Sequence, residues 1–592
     1  MSASDPARWP DTPGAAETTT LYGSDAIAAM LRRLDIPYLA LNPGASYRGL
    51  HDSLVNYLGN RSPAMLLCLH EESAVAIAHG YAKVTGRPMG AVLHANVGLM
   101  HASMAIFNAW CDRVPMLLLG ATGPVDAAQR RPWIDWIHTA SDQGALVRDY
   151  TKWDNQPASL AASFEALLRA HQLARTPPCG PAYVTLDAAL QEAPLASMPA
   201  LPDPARFAPS GPLRPGDGEL ARIAKRLDAA AHPVILMGRV ARDDAAWRSR
   251  VALAERMQAR VVTDLKMPAA FPTDHALHAG PPGSFLSSES IDVLRAADVV
   301  LALDWYDVAG TLRQAWGAQP VGAHVINVSP DALVHRGWSM DHQGLAPADD
   351  YFLCAPDAVV DGLLERVQQR PPRAIAPRAP LPPSSDALSI RTLADTLNAV
   401  VARRDICLTR VPLGWHGAYR HFRGPREYIG LEGGGGVGAG PGITVGAALA
   451  LKDSGRLPIA IMGDGDFLMG VTAIWTAAHY RLPCVVLVAN NRSFYNDEVH
   501  QERVARARGR PVENKWIGQR ISEPDIDLAA MARAQGAEAF GPVEAVADLR
   551  PVLERAIAAA DAGAVSVVDV RVQPGYDADP SGTASLARGA KR

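Results

Sequence analysis

Short runs of consecutive apolar residues recur along the chain, each the length of a buried strand and each followed by a stretch with helical apolar spacing. In the first third the runs are Tyr38–Leu41, Met65–Leu69, Met89–Leu93, Pro115–Leu119 and Ala182–Thr185. Between two of them, Ser73–Thr85 places Ala74, Ile77, Ala78 and Tyr81 on one face of a predicted helix. The middle third repeats the pattern with Pro233–Met237, Arg260–Thr263, Val299–Leu303 and His324–Val328, and the last third with Pro458–Met462, Cys484–Ala489 and Val565–Val570. Strands that are apolar on both faces and alternate with helices predict parallel sheets covered on both sides. Two proline-rich stretches, residues 196–215 and 370–386, read as extended linkers. The fold expected is therefore α/β with three doubly wound parallel-sheet domains, at residues 20–195, 216–369 and 387–573. A disordered N-terminus (1–19) and a small, polar tail (574–592) flank them.

Length agrees with that division, since 592 residues at roughly 150 per domain give three or four domains. Composition narrows the function classes. A net charge of -4 offers no broad basic surface for nucleic acid. Six scattered cysteines without a Cys-x-x-Cys spacing speak against a disulfide scaffold or a zinc site and for a reducing compartment. The first twenty residues lack a basic segment followed by an apolar core, and no apolar run approaches the roughly 20 residues of a membrane span. The expectation is a cytoplasmic protein with neither nucleic-acid nor membrane partners.

The strongest local signal lies in the last third. The apolar run ending at Met462 is followed by Gly463-Asp464-Gly465-Asp466 and a helical pattern, Phe467 to Tyr480. The next run ends in Asn490-Asn491. Both polar clusters fall at the carboxyl ends of predicted parallel strands, where open α/β sheets bind ligands. Asp464 offers a carboxylate oxygen, Asn491 an amide oxygen and Ser493 a backbone carbonyl; three such oxygens leave octahedral room for Mg²⁺ to take phosphate oxygens and water. Gly463 and Gly465 permit close backbone approach, and the following helix start presents free N–H groups to an anion. Taken singly, the first cluster is a turn and the second a loop.

Gly463-Asp464-Gly465 followed by Asn490-Asn491 resembles the cofactor motif of the thiamine-diphosphate enzymes that include pyruvate decarboxylase, acetolactate synthase and benzoylformate decarboxylase. The stretch Thr472–Pro483 is similar to the same stretch of benzoylformate decarboxylase. The resemblance implies thiamine diphosphate and Mg²⁺ as cofactors, with Asp464, Asn491 and the Ser493 carbonyl on the metal and Gly463, Gly465 and Asp466 beside the diphosphate. Asp466 stands where the family often has Ser. Upstream, Gly435-Gly436-Val437-Gly438 resembles the segment under the thiazolium ring. It implies the Gly435 carbonyl as acceptor for the cofactor's amino group and Val437 as the wedge that bends it.

In the first third, Leu66-Leu-Cys-Leu-His70-Glu71-Glu72 brings an apolar run into two glutamates at a helix start. The plain reading is a pair of acids favoured by the helix dipole. By resemblance, Glu71, nine residues before Gly80-Tyr81-Ala82, is the catalytic carboxyl that hydrogen-bonds the cofactor's pyrimidine ring, with Glu72 as a helix-start residue. His94, at the end of Met89–Leu93, aligns with the family's active-site histidine and is the second catalytic candidate; His101 is a weaker one. Asn42-Pro43-Gly44-Ala45 is similar to the family's first turn, but Ala45 takes the place of a catalytic serine. Asp497, Trp415 and His416 are further pocket candidates.

The activity implied is cleavage or formation of a carbon–carbon bond next to a carbonyl. The substrate would be a 2-oxo acid or related carbonyl compound, handled by an acetolactate synthase-like enzyme or a 2-oxo acid decarboxylase and carboligase. Alternatives on the same scaffold are a flavin-dependent 2-oxo acid oxidase, a 1,2-diketone hydrolase and a silent regulatory paralogue. FAD is possible in the middle domain but not favoured, because no flavin-specific pattern accompanies Gly238-Arg239. The resemblance also implies a homodimer or homotetramer with active sites between subunits.

Overall fold

The computed structural model describes residues 10–14, 20–331, 345–378, 381, 384 and 386–575. Most of the N-terminal segment, part of the second linker and the tail from residue 576 lie outside the described residues. Three parallel sheets organise the chain. The first is built from β2 (Tyr38–Leu41), β3 (Ala64–Leu67), β4 (Met89–Leu93), β5 (Met116–Thr122), β6 (Asp154–Asn155) and β7 (Pro181–Asp187), in the order β3-β2-β4-β5-β7-β6. A two-strand antiparallel ribbon, β1 (Leu21–Tyr22) with β8 (Pro194–Leu195), ties the two ends of this unit together. The second sheet has the order β10-β9-β11-β12-β13, from β9 (Pro233–Met237), β10 (Arg260–Val262), β11 (Val299–Leu303), β12 (His324–Ser329) and β13 (Asp350–Leu353). The third has the order β14-β15-β16-β18-β17, from β14 (Ile406–Arg410), β15 (Leu457–Gly463), β16 (Cys484–Asn490), β17 (Glu538–Val543) and β18 (Val565–Arg571).

The apolar runs find the central strands of every sheet, which are buried on both faces. They miss β6, β13, β14 and β17, all edge strands, and the ribbon strands β1 and β8. β17 is half exposed and carries Gly541-Pro542, the composition an edge tolerates and a centre does not. The predicted helix Phe467 to Tyr480 is two helices, Asp464–Gly470 and Thr472–His479, and the first begins at Asp464 itself.

The helix Glu71–Thr85 departs most from its sequence pattern. One apolar face was expected, yet the helix is buried on nearly all sides. The second cover is the helix Gly440–Leu451 of the third unit, which crosses it closely. Gly80 and Gly446 make the crossing possible. A Cβ on Gly80 would fall inside the carbonyl oxygen of Ile443, and one on Gly446 would lie 2.8 Å from the Tyr81 amide nitrogen and inside the Ile77 carbonyl oxygen.

Burial on this scale takes polar groups with it. His79 Nε2 lies 2.7 Å and Lys83 Nζ 2.5 Å from Asp112 Oδ2, and Lys83 also donates to the Leu431 carbonyl of the third unit. Burial pushes the Asp112 carboxyl up, but Lys83 and His79 outweigh it and hold the group below the usual carboxylate range. A buried charge without such a partner is strongly destabilising.

Replacing glycine by alanine inside an exposed helix stabilises it by about 0.5–1 kcal/mol. Gly446→Ala is expected to do the reverse, destabilising by about 1–3 kcal/mol, because the added methyl meets backbone and not a flexible side chain. Gly218→Ala, on the exposed helix Asp217–Ala229 with open space around it, is the control that stays neutral or gains. Thermal melting of the two variants beside wild type decides the sign.

Candidate active site

Four adjacent strands of the first sheet, β3, β2, β4 and β5, end side by side: Leu41 pairs with both Leu67 and Val92, and Leu93 pairs with Gly120. Each delivers one polar group to the same edge. After β3, the His70 ring caps the helix by accepting from the Glu72 amide at 3.2 Å, which sets Glu71 as the first helical residue. Glu71 is only 6 % exposed. Its Oε2 lies 3.2 Å from His101 Nδ1, and the His101 ring stacks on His70 at 5.1 Å. After β4 comes His94, which caps the helix Ala95–Cys111. Gly98 lies inside the first turn of this helix. A Cβ there would sit 3.1 Å from Glu71 Oε1 and 3.4 Å from His94 Cβ, so the two candidate residues flank one small niche.

After β2, the turn at Gly44 lies so close to the His94 ring that a Cβ would be 2.8 Å from Nδ1. Ala45, the departure seen in the sequence, is followed by a buried serine, Ser46, whose Oγ lies 2.9 Å from His94 Nδ1. After β5, the loop returns His138, with Nδ1 3.2 Å from His94 Nε2. Burial pulls the His94 pKa below its ordinary value, and the neighbouring His138 adds to the effect.

In the third sheet β15 and β16 are neighbours, with Gly463 opposite Ala489. Asp464 and Asn491 therefore emerge side by side. Asp464 Oδ2 and Asn491 Oδ1 both accept from the Ser493 amide, at 3.2 and 3.0 Å, so the two side-chain oxygens converge. Asn490, the other half of the pair, turns into the sheet and donates to Asp569 Oδ1 at 2.8 Å. The Ser493 hydroxyl donates to Glu498 Oε1 at 2.5 Å, which leaves the carbonyl as that residue's available oxygen. Burial pushes the Asp464 carboxyl up to about 6, against the backbone amides that hydrogen-bond it. A desolvated carboxylate beside an amide oxygen and a loop carbonyl is a donor set suited to a hard divalent cation. The residues present thus fit the metal the resemblance implies.

Asp466 has a different occupation from the one expected. Its Oδ2 pairs with Arg410 Nε at 2.9 Å, and its Oδ1 accepts from the Gly438 and Gly440 amides at 2.7 and 3.2 Å. Arg410, at the end of β14, also pairs with Glu432. The glycine run is therefore clamped at both ends, by Glu432–Arg410 before it and Asp466 after it. Between the clamps Gly435 is exposed and has open space around it, and Val437 is half-buried. Asp466, standing where the family often has Ser, is thus paired with a buried guanidinium.

Other expectations move. Asp497 is exposed, whereas its neighbour Glu498 is buried against Ser493. Trp415 is a core residue, edge-on to Tyr419 at 5.5 Å, and His416 is half-buried beside it. Ser46, His138, Arg410, Glu432 and Glu498 were not found from sequence. Only Ser46 had a signal, its place directly after the departing Ala45. His138, Arg410 and Glu432 are brought to the site by strand order and loop return, and Glu498 by the phase of the helix Tyr495–Ala507.

Arg410→Met leaves Asp466 and Glu432 buried without their shared cation and is expected to cost about 3–5 kcal/mol. Arg410→Met with Asp466→Ser and Glu432→Gln removes the uncompensated charges and recovers a large part of that loss. Chemical denaturation of the single and triple variants tests this.

Comparison with known proteins agrees over all three units. Residues 21–146 match the family described as thiamine pyrophosphate enzyme, N-terminal TPP binding domain, residues 220–334 its central domain, and residues 412–570 its C-terminal TPP binding domain. Benzoylformate decarboxylase of Pseudomonas aeruginosa is 28% identical over 86% of this chain and 92% of its own. The acetolactate synthase large subunit of Parasynechococcus marenigrum is 25% identical over 95% and 89%. Among solved structures, benzoylformate decarboxylase from Polynucleobacter necessarius superposes with a TM-score of 0.77 at 20% identity, covering 94% of this chain and 99% of that one. The 4-hydroxybenzoylformate decarboxylase of Rhodococcus jostii gives 0.73 at 21%, covering 94% and 100%. With three matched domains in the family's order, this chain belongs to the thiamine pyrophosphate enzymes and is related to benzoylformate decarboxylase and acetolactate synthase.

Proposed function

We propose that this protein is a Mg²⁺- and thiamine-diphosphate-dependent enzyme that cleaves or forms the carbon–carbon bond next to the carbonyl of a 2-oxo acid, with decarboxylation as its first reaction. The observation that carries the reading is the pair of half-sites at strand ends: the buried Glu71 in one sheet and the converging oxygens of Asp464 and Asn491 in another. The two relatives above match over most of both chains, and the benzoylformate decarboxylase, at 28% identity against 25% for the acetolactate synthase, supports decarboxylation ahead of ligation.

Bound thiamine diphosphate supplies the nucleophilic carbon and the electron sink for this chemistry. The chain's residues do the rest. Asp464, Asn491 and the Ser493 carbonyl would hold Mg²⁺, and the amides after Gly463, with Gly465, would receive the diphosphate. The clamped glycine run would present the Gly435 carbonyl and the Val437 side chain to the cofactor's rings. Glu71, in a water-poor niche, would hold a proton against the pyrimidine nitrogen, where a desolvated hydrogen bond is strong. His94, kept neutral near pH 7 by burial, would serve the substrate's oxygen.

The proposal includes an active site shared between two copies of the chain. Leu69 and Met100 near Glu71, and Met469 and Phe494 near Asp464, are large apolar side chains exposed by 39–58% in the single chain. A closed symmetric dimer covers such patches.

Turnover of a panel of 2-oxo acids, pyruvate through benzoylformate, with and without an aldehyde acceptor, tests the activity. CO₂ release is expected to require both cofactors and to fall about 10²–10⁴-fold in Glu71→Gln. Turnover that survives this substitution, or no cofactor binding, overturns the reading. Mixing Glu71→Gln with Asp464→Ala tests the shared site. If Glu71 of one copy serves Asp464 of the other, random hybrids regain about a quarter of wild-type activity; sites within one chain regain none.

A further inference from the structure

The His94 ring is held between two polar groups, and one of its contacts fixes where its proton sits. Nδ1 faces both the Ser46 hydroxyl at 2.9 Å and the Ser46 backbone amide at 3.4 Å. A backbone N–H only donates, so Nδ1 is an acceptor and the ring carries its proton on Nε2. That proton points at His138 Nδ1, 3.2 Å away, with the rings edge-on at 85°. His138 therefore accepts on Nδ1 and carries its own proton on Nε2. The order is Ser46 hydroxyl, His94, His138, every hydrogen bond pointing the same way, from a buried serine to a half-buried histidine.

The segment that carries His138 is anchored. Asp135, buried, accepts from the Arg131 amide at 2.7 Å and pairs with its guanidinium at 2.7 Å, and Asn96 of the helix after His94 reaches the Ile137 carbonyl at 3.4 Å. The charged groups facing His94 are Glu71, from the helix Glu71–Thr85, and Arg131, from this segment; they act in opposite senses on its protonation.

We propose that His138 is a positioning and relay residue, the outer member of a Ser46–His94–His138 chain that carries a proton between the substrate's carbonyl oxygen and solvent. This rests on the 2-oxo acid reading above. A reaction that opens a carbonyl and later re-forms one must give that oxygen a proton and take it back. In the outward run the substrate hydroxyl gives its proton to Ser46 Oγ, and the Ser46 proton passes to His94 Nδ1. The His94 Nε2 proton passes to His138 Nδ1, and His138 releases its Nε2 proton to water. No heavy-atom bond changes, the serine ends as it began, and both rings end as the other tautomer. The inward run, water to substrate, reverses each transfer and restores the first tautomers. The addition step uses the inward run, from the tautomers an outward run leaves, and product release uses the outward run, from the tautomers described above; in the free chain the two sets exchange by the same transfers with water at the inner end.

The test uses the full chain with His138→Ala and His138→Asn. Asn keeps an acceptor for His94 Nε2–H but passes no proton on. Both variants are expected to bind thiamine diphosphate like wild type, lose about 10-fold or more in kcat, and change the pH profile of kcat. Added imidazole is expected to restore His138→Ala several-fold and to leave His138→Asn unaffected; a structural role would not respond to imidazole. Variants that keep kcat and pH profile within twofold of wild type overturn the relay. If wild type shows no cofactor-dependent turnover, the 2-oxo acid reading falls instead, and ¹⁵N-histidine spectra of the same chain still decide the arrangement. His94 as the Nε2–H tautomer in wild type, with its titration displaced in His138→Ala, supports it; an Nδ1–H tautomer, or a titration indifferent to His138, overturns it.

Discussion

Two backbones touching through glycines set the geometry on which everything else rests. Gly80 and Gly446 remove the side chains that would hold the helices Glu71–Thr85 and Gly440–Leu451 apart. The first of these helices starts with the candidate catalytic carboxyl. The second follows directly on the glycine run assigned to the cofactor's rings. Their crossing therefore fixes the first sheet against the third, and small displacements there are resisted by close-packed backbone. The Lys83 contact to the Leu431 carbonyl reinforces this at the residue before the Glu432 clamp.

The site itself shows how a fold handles charge it needs beside charge it must avoid. Asp464 is buried, and its carboxyl is pushed up to about 6 against the backbone amides that hydrogen-bond it, with no cationic side chain among the causes. Asp466, two residues on, is provided for in full by Arg410 and two backbone amides. One turn of chain thus separates a carboxylate suited to a metal from one that serves as a structural clamp. Sequence spacing treats them alike; only the partner from β14 tells them apart.

Much of this was legible beforehand, and the limits have physical causes. Central strands announce themselves because both faces are buried, so Pro233–Met237 and Val299–Leu303 have the same bounds in sequence and structure. β17 does not, because half of it is exposed, and β14 does not, because its buried run of Ile406, Cys407 and Leu408 is cut short by Thr409 and Arg410. The Gly-Asp-Gly and Asn-Asn pair was readable because each follows its strand directly. His138, Arg410 and Glu432 were not, because what places them is the order of strands in the sheet and the path of a returning loop. Glu498 hides behind a more obvious neighbour, Asp497, since helical phase and not composition decides which of the two is buried.

The helix that pairs with Glu71–Thr85 lies late in the chain, and this has a consequence for synthesis. Roughly 360 residues separate the two crossing glycines, which at about 5–20 residues per second is on the order of 20–70 s of translation. Once β7 has been made the first sheet is complete, yet the outer side of its Glu71–Thr85 helix, with Ala76 and Gly80, has nothing to lie against until the later helix is made. The nascent chain must carry an uncovered apolar seam, with a lysine and a histidine bound for burial beside it, until the ribosome reaches the far end of the message. The order in which this fold can close is thus set by one pair of glycines far apart in the chain.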